Sequence, residues 1–341
     1  HGFVVTLLVA SAVLKKLKWH RMMQAIGVHL AITFGVMIAA GITLKSLIPY
    51  KYEGVQTFES MKSMNTSAKV DQYRELTPLG YFEQQQPRLE VILARKSIRI
   101  GYNDASLPYA FRNKDNKMVG FDVELLNQFA KDLDINLSMI RIEEGANEAE
   151  LLADGSIDIL IGGHIITPKR ALNMAFSDAY TFHTAGLLVS DAKRDDFSDF
   201  YNIQAMKTLR LGVGNSKYYQ DMVKEYLPNA QLTEVNNVRQ FLKGKHEGVD
   251  ALIYSTESGS AWAMLYPNYS AIIPKGLKLR APVAFMLPKG QLDYVQYINT
   301  WLKLKKENGL QEKVYDYWIL GKNPKAKQPR WSVMKDVLGW L

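Results

Sequence analysis

Residues Gly155 to Arg170, reading GSIDILIGGHIITPKR, constrain the fold more tightly than any other stretch of the chain. Ile157 to Ile161 is a short apolar run broken only by Asp158, with the length and β-branched content of a parallel strand covered on both faces. A strand of that kind needs helices on either side of its sheet, so the run points to an α/β architecture. Gly162 and Gly163 let the backbone turn sharply and approach another group closely. Thr167 is placed to cap a helix whose first residue is Pro168, and the free N–H groups of that turn would point back toward the strand end. An anion there meets a positive helix end. Arg170 adds a planar fork of donors matched to a carboxylate. The competing reading is that Arg170 caps a surface helix.

The alternation continues on both sides. A strand at Ile98–Tyr102 is followed by a helix at Asp122–Leu133, with Leu125, Leu126, Phe129, Ala130 and Leu133 on one face and Asp122 as its predicted N-cap. Then come a strand at Leu137–Ile142, a helix near Asn147–Asp154 and the Ile157 strand. After Asp191 a second series begins. Leu209–Val213, Leu232–Val235 and Val249–Tyr254 each precede a helix, at Tyr218–Tyr226, Val238–Lys243 and from Thr256 onward. This is two α/β units in tandem. A strand at Val283–Leu287 and helices at Leu292–Lys306 and Leu310–Ile319 complete the pattern. A length of 341 residues suits two domains, and 47% hydrophobic content argues against bulk disorder.

The beginning of the chain has a different character. Ala25 to Leu44 is a run of twenty residues without a formal charge, long enough to cross a bilayer core, and it predicts a transmembrane helix over 25–48. A cleavable signal peptide is the rival, but a second apolar segment, Gly2–Leu14, precedes it, and the chain opens on His1 inside that segment, as a fragment of something longer would. Lys15, Lys16, Lys18 and Arg21 lie between the two. The positive-inside tendency makes that loop cytoplasmic and puts everything after Pro49 on the periplasmic side of an inner membrane. Gly27, Ala31, Gly35 and Ala39 form a stripe of small residues that suits close helix packing, or is chance. Residues 1–49 therefore read as a membrane segment, 50–87 as a linker, 88–320 as the compact region and 321–341 as a C-terminal tail, apolar from Trp331 to Trp340.

Composition removes several function classes. The net charge of +8 is scattered in small clusters rather than forming a basic stripe interleaved with aromatics, so nucleic acid is not an expected partner. With no cysteine there are no disulfides or thiolate metal sites, and the six histidines show no metal-ligand spacing. No cofactor is expected.

Several segments, taken in order, resemble a family. Ile98–Phe111 (IRIGYNDASLPYAF), Met118–Leu125 (MVGFDVEL), Asp154–Arg170 and Phe176–Tyr180 (FSDAY) are similar to landmarks of the family 3 extracytoplasmic solute-binding proteins. The likeness continues through Leu211–Val213 and Gly248–Ala251 to Trp318. It implies a two-lobed periplasmic-binding-protein fold of type II, with a first lobe near 97–188 and 284–320 and a second near 192–280. Crossover strands are expected near Leu187–Asp191 and Arg280–Phe285, closing on a ligand by hinge motion. Ser258–Pro267 (SGSAWAMLYP), Tyr317–Gly321 (YWILG) and Pro329–Trp340 further resemble the solute-binding domains fused behind cation:dicarboxylate symporters. That likeness implies a cation-coupled transporter portion of the same polypeptide as partner.

The resemblance assigns roles residue by residue. Arg170 matches the arginine that clamps the ligand carboxylate, and Gly163 its neighbouring backbone donor; Asn103 falls where the first loop offers a carboxylate or amide. Ile165 replaces a hydroxyl residue, Lys217 and Tyr218 stand where small hydroxyl residues are usual, and Ser255 occupies the place of the acid that pairs with a ligand amine. Glu257 could take over the amine or be a first-turn acid favoured by the helix dipole. Tyr109 reads as a ligand wall or as lobe packing, Lys217 as a second cation facing Arg170 or as a solvated helix residue, and His164 as packing beside the glycine turn or as a ligand contact.

The leading expectation is a membrane-tethered domain that captures a small carboxylate, a dicarboxylate or an acidic amino acid, for transport, without catalysis. A dehydratase acting on a carboxylate, with His164 and Glu257 as candidate acid and base, and a ligand sensor are the alternatives.

Overall fold

The computed structural model describes residues 19–47, 60–64, 70–73, 76–103, 106–143, 145–214 and 216–321. The chain divides into two compact units, His1–Glu53 and Gly54–Leu341.

In the first unit a helix runs over Trp19–Leu47, six residues further toward the N-terminus than the apolar run alone suggests. Its window Met23–Ala40 has a mean hydropathy of 1.7 and is long and apolar enough to cross a membrane. Side chains such as Leu30, Phe34 and Met37 are exposed, and nothing lies within 4 Å of the space a Cβ would take at Gly27 or Gly35. Gly2–Leu14 and the lysines after it lie outside the described residues.

The second unit consists of two lobes, each built on its own sheet. In the first lobe, β1 (Val70–Tyr73), β5 (Asn136–Arg141), β2 (Ser97–Tyr102) and β6 (Ile159–Leu160) run parallel, and β14 (Met286–Leu287) and β7 (Ala175–Phe176) extend the sheet antiparallel. A small hairpin, β3 (Phe111–Arg112) with β4 (Met118–Val119), stands apart. Ile98, Leu137, Ile157, Ile159, Leu160 and Ile161 are fully buried, as strands covered on both faces must be. In the second lobe the order is β10 (Gln231–Glu234), β9 (Arg210–Val213), β11 (Ala251–Ser255), β8 (Thr181–Ser190) and β12 (Tyr269–Ile272), the first three parallel and the last two antiparallel to their neighbours.

Strand β8 joins the lobes. Its first half, Thr181–Thr184, pairs with β13 (Arg280–Val283), while its second half belongs to the second-lobe sheet. The crossover therefore lies at Thr181–Thr184, earlier than the Leu187–Asp191 expected from sequence. Leu187, Leu188 and Val189 are apolar because they are core strand of the second lobe.

The segment expected as a linker is in part domain. Strand β1 pairs with β5 along the edge of the first-lobe sheet, the Leu79 N–H donates to the Asp154 carbonyl at 2.9 Å, and Tyr81–Gln84 forms a helical turn; Arg88, where the compact region was expected to begin, starts the helix Arg88–Arg95. The guanidinium of Arg88 is buried against Asp158 at 3.4 Å and donates to the carbonyls of Leu152, Ala153 and Ile157. Asn113 and Tyr317 hold the carbonyls of Met61 and Lys62. These polar partners are distant in sequence, so no local periodicity reports them. Of the tail, residues 322–341 lie outside the described residues.

Candidate ligand-binding site between the lobes

The site grows from the glycine turn. After β6 the chain turns through Gly162 and Gly163, with φ of 135° and 72°, values that L side chains rarely adopt. A Cβ at Gly163 would lie 2.5 Å from the Tyr109 ring and 3.0 Å from His183 Nε2. Tyr109, only 1% exposed, packs edge-on against Phe121 and tilted over His183, with ring centroids 6.0 and 5.3 Å apart. Asn103 is half-buried and accepts the Ser106 hydroxyl at 2.7 Å, so its amide oxygen braces the loop that carries Tyr109.

Asp122 is not the N-cap predicted for its helix. Gly120 takes that place with φ 135°, where a Cβ would collide with the Tyr109 carbonyl, and the helix spans Phe121–Leu133. The Asp122 carboxylate is fully buried and accepts the N–H groups of Gly162 at 2.8 Å and Gly163 at 3.2 Å. The Gly163 donor assigned to a ligand is therefore engaged by the protein itself. Burial pushes the Asp122 carboxyl up to about 7, against the pull of the Tyr180 hydroxyl and the two peptide groups.

Thr167 caps Pro168–Ala171 as predicted, its hydroxyl accepting the Arg170 N–H at 3.3 Å. The helix is a single turn, so its dipole is small and the anion-binding capacity of this segment rests on the guanidinium. Arg170 is half-buried, donates to the Ile165 carbonyl at 3.4 Å, and lies close enough to Glu148 and His164 for its charge to act on both. Ile165 is buried, bridges to Val283 and packs in the second lobe's apolar core with Ala185 and Leu187. Its side chain is core rather than a contact for a polar ligand group. The His164 ring donates its Nε2–H to the Ile161 carbonyl, 3.1 Å away. Burial, reinforced by Arg170, lowers it to about 3, so it is neutral packing beside the turn.

The second lobe brings a different set. Ser255 is the N-cap of the helix Thr256–Leu265, its hydroxyl accepting the Ser258 N–H at 3.2 Å. Lys217 is exposed and pairs with Asp221 one turn along its own helix, which absorbs the charge expected to face Arg170. The Tyr218 hydroxyl donates to the Arg280 carbonyl at 3.3 Å, and its ring packs edge-on against Tyr219.

Glu257 is 5% exposed and accepts the Thr184 N–H at 3.1 and 3.0 Å through its two oxygens. Burial raises its carboxyl, and burial followed by the charge of this carboxylate raises the phenols of Tyr109, Tyr219 and Tyr315. Residues from both lobes and from the helix Leu310–Trp318 thus surround one acid. The hydroxyl of Tyr219 and Nε2 of His183 are buried here without a hydrogen-bond partner. Tyr180, Tyr219 and Tyr315 escaped the sequence reading because aromatic residues in α/β chains are ordinarily core; only the fold brings Tyr219 and Tyr315 under the influence of Glu257 and Tyr180 under that of Asp122.

This geometry coincides with a family match over residues 98–321, to the bacterial extracellular solute-binding proteins of family 3. The chain belongs to that family. Its relatives include a cyclohexadienyl dehydratase of Pseudomonas aeruginosa, 22% identical over 72% of this chain and 90% of the relative. An ABC transporter glutamine-binding protein of Bacillus subtilis is 24% identical over 70% and 86%, and an arginine-binding periplasmic protein of Mannheimia haemolytica is 25% identical over 63% and 88%. Among solved structures, an ancestral amino acid-binding protein, a precursor of cyclohexadienyl dehydratase, superposes with a TM-score of 0.58 at 24% identity, covering 67% of this chain and 98% of that one. A substrate-binding protein of an amino acid ABC transporter from Streptococcus pneumoniae, bound to L-arginine, gives 0.58 at 21% identity, covering 68% and 97%. These likenesses show the two-lobed fold of family 3, extracytoplasmic by family.

Proposed function

We propose that the chain captures a small amino acid between its lobes, with Arg170 on the carboxylate and Glu257 on the ammonium. The observation that carries this is Glu257 itself, a buried carboxylate that has no cation within ion-pair distance among the described residues. A buried unpaired charge is expensive, and an ammonium arriving as the lobes close supplies the missing partner. Ser255, spent on its helix, leaves that task to Glu257. A dicarboxylate would need a second cation in the cleft, and Lys217, the residue expected to supply it, is paired with Asp221. An acidic amino acid remains within this reading, since it brings its own ammonium. The relatives named for glutamine and arginine agree with an amino acid ligand.

Calorimetry and thermal shift on the purified chain test it, comparing L-glutamine, L-arginine and L-glutamate with succinate and malate. Stabilisation by at least one amino acid and by neither dicarboxylate is the expected result. Stabilisation by succinate or malate alone overturns the assignment.

Attachment to the inner membrane through the helix Trp19–Leu47, with binding on the periplasmic side, accompanies this reading. Its apolar window and the basic residues before it support the tether and its direction, and a transporter portion of the same polypeptide would then receive the ligand. Reporter fusions at Gln56 test the direction; activity of a reporter that works only in the cytoplasm reverses it.

Glu257 also favours a second reading. A buried acid with a raised carboxyl, ringed by phenols, can exchange a proton with a bound carboxylate, and one relative is a dehydratase. Turnover of a hydroxylated cyclohexadienyl carboxylate, lost in Glu257→Gln, would establish it.

A further inference from the structure

Asp122 plays no part in the binding scheme above, yet it is a fully buried acid directly beneath the glycine turn. Three segments meet on it. Its own N–H donates to the Tyr109 carbonyl at 3.0 Å, which fixes the loop whose ring packs on Gly163. One carboxylate oxygen accepts both Gly162 and Gly163 N–H groups. The other oxygen faces the Tyr180 hydroxyl, and neither of these two atoms has a hydrogen-bond partner at good geometry.

We propose that Asp122 is the positioning residue of the ligand-carboxylate site, locking the Gly162–Gly163 turn to the Tyr109 loop and taking up a proton when a carboxylate binds beside that turn. The second half of this statement rests on the reading of Arg170 as the carboxylate clamp.

The argument for the lock is geometric. Two peptide donors from consecutive residues converge on one oxygen, so the turn cannot rotate without breaking both bonds, and the segment that leads to Arg170 starts from a fixed direction. The argument for the proton is electrostatic. Among the described residues no cation pairs with Asp122, and a second negative charge arriving at the turn makes its ionised form costlier still. The proton would sit on the oxygen facing Tyr180, because the other is occupied by two donors. The remaining groups around it are poor candidates. His164 and His183 are held neutral by burial, the phenols of Tyr109 and Tyr180 are pushed well above their ordinary value, and Glu124 on the same helix is engaged by the Met64 N–H at 3.1 Å.

Two measurements on the full chain in detergent, with Asp122→Ala and Asp122→Asn, decide it. Hydrogen-exchange mass spectrometry needs no ligand. Exchange in the peptide Gly155–Arg170 should accelerate about tenfold or more in Asp122→Ala, since two charge-assisted bonds are lost, while Asp122→Asn, retaining an acceptor oxygen, restores most of the protection. Second-lobe peptides should not change. Calorimetry with L-glutamine as the probe, run in two buffers of different ionisation heat, should show proton uptake on binding that vanishes in Asp122→Asn. Unchanged exchange at the turn in folded Asp122→Ala, or in Asp122→Asn and Asp122→Leu should the alanine variant not fold, overturns the lock. Proton uptake persisting in Asp122→Asn overturns the coupling. Loss of protection in a chain that binds none of the amino acids tested would retire the reading of the cleft and still support the lock.

Discussion

The Glu257 carboxylate holds the peptide N–H of Thr184 through both its oxygens, at 3.1 and 3.0 Å, while the hydroxyl of its neighbour Thr256 donates to the Thr184 carbonyl at 3.1 Å. The start of a second-lobe helix thereby grips both sides of one residue in the strand that joins the lobes. Thr184 stands opposite Arg280 in the other crossover strand, so the acid sits where closure would change its surroundings most. Glu257→Gln keeps an acceptor for Thr184 but removes the charge. Affinity for amino acids should fall about a hundredfold or more, as expected for truncating one partner of a buried charge pair. The melting temperature of the free protein should hold or rise. Calorimetry and differential scanning read the two quantities, and undiminished affinity would exclude Glu257 from the ammonium site.

Arg170 should behave differently. Its guanidinium makes one 3.4 Å contact with the Ile165 carbonyl and is half-buried, so little of the fold depends on it. Arg170→Ala should cost about 2 to 5 kcal/mol of binding, roughly thirty-fold to several thousand-fold in affinity, with far-UV circular dichroism unchanged.

Lys217→Ala provides the contrast. With its amine paired to Asp221 on an exposed helix face, the change should move both affinity and stability by less than about 0.5 kcal/mol. A loss of tenfold or more in titrations would return Lys217 to the cleft and a dicarboxylate to consideration.

At Gly163 both conformation and space forbid a side chain. Its φ of 72° and the 2.5 Å approach of the Tyr109 ring predict that Gly163→Ala destabilises by about 1 to 3 kcal/mol in denaturant titration and weakens binding through displacement of Tyr109.

The pH dependence has two opposed parts. The Asp122 carboxyl is raised from 3.8 to about 7, so the folded chain holds this proton more tightly than the unfolded one. Its contribution is complete below 3.8 and is lost as pH rises toward 7, a term on the order of 4 kcal/mol at most. His164 and His183 are lowered from 6.5 to about 3, so their contribution is complete above 6.5 and lost as pH falls. Asp122→Asn should therefore gain stability relative to the parent as pH rises from 4 to 7, measured as the difference in melting temperature across that range. A difference independent of pH would show that Asp122 ionises normally.

Local pattern was enough for the strands at Ile98, Leu137 and Leu209, the cap at Thr167 and the glycine turn, because each depends on residues close in sequence: β-branched runs, a Thr-Pro pair, paired glycines. The apolar helix at Trp19–Leu47 was legible for the same reason, in length and hydropathy. The order of the landmarks from Ile98 to Trp318 was enough for the family. What the sequence could not determine is how side chains with several available partners choose among them. Asp122 could cap a helix, Lys217 could face a ligand and Ser255 could meet one; the folded chain gives these residues a glycine turn forty residues away, a neighbouring aspartate and a helix end. The edge strand Val70–Tyr73 pairs with a strand more than sixty residues later, a contact that leaves no trace in local periodicity. Tertiary structure decides such cases because a buried polar group costs free energy until it is paired, and only the complete fold fixes which partner is within reach.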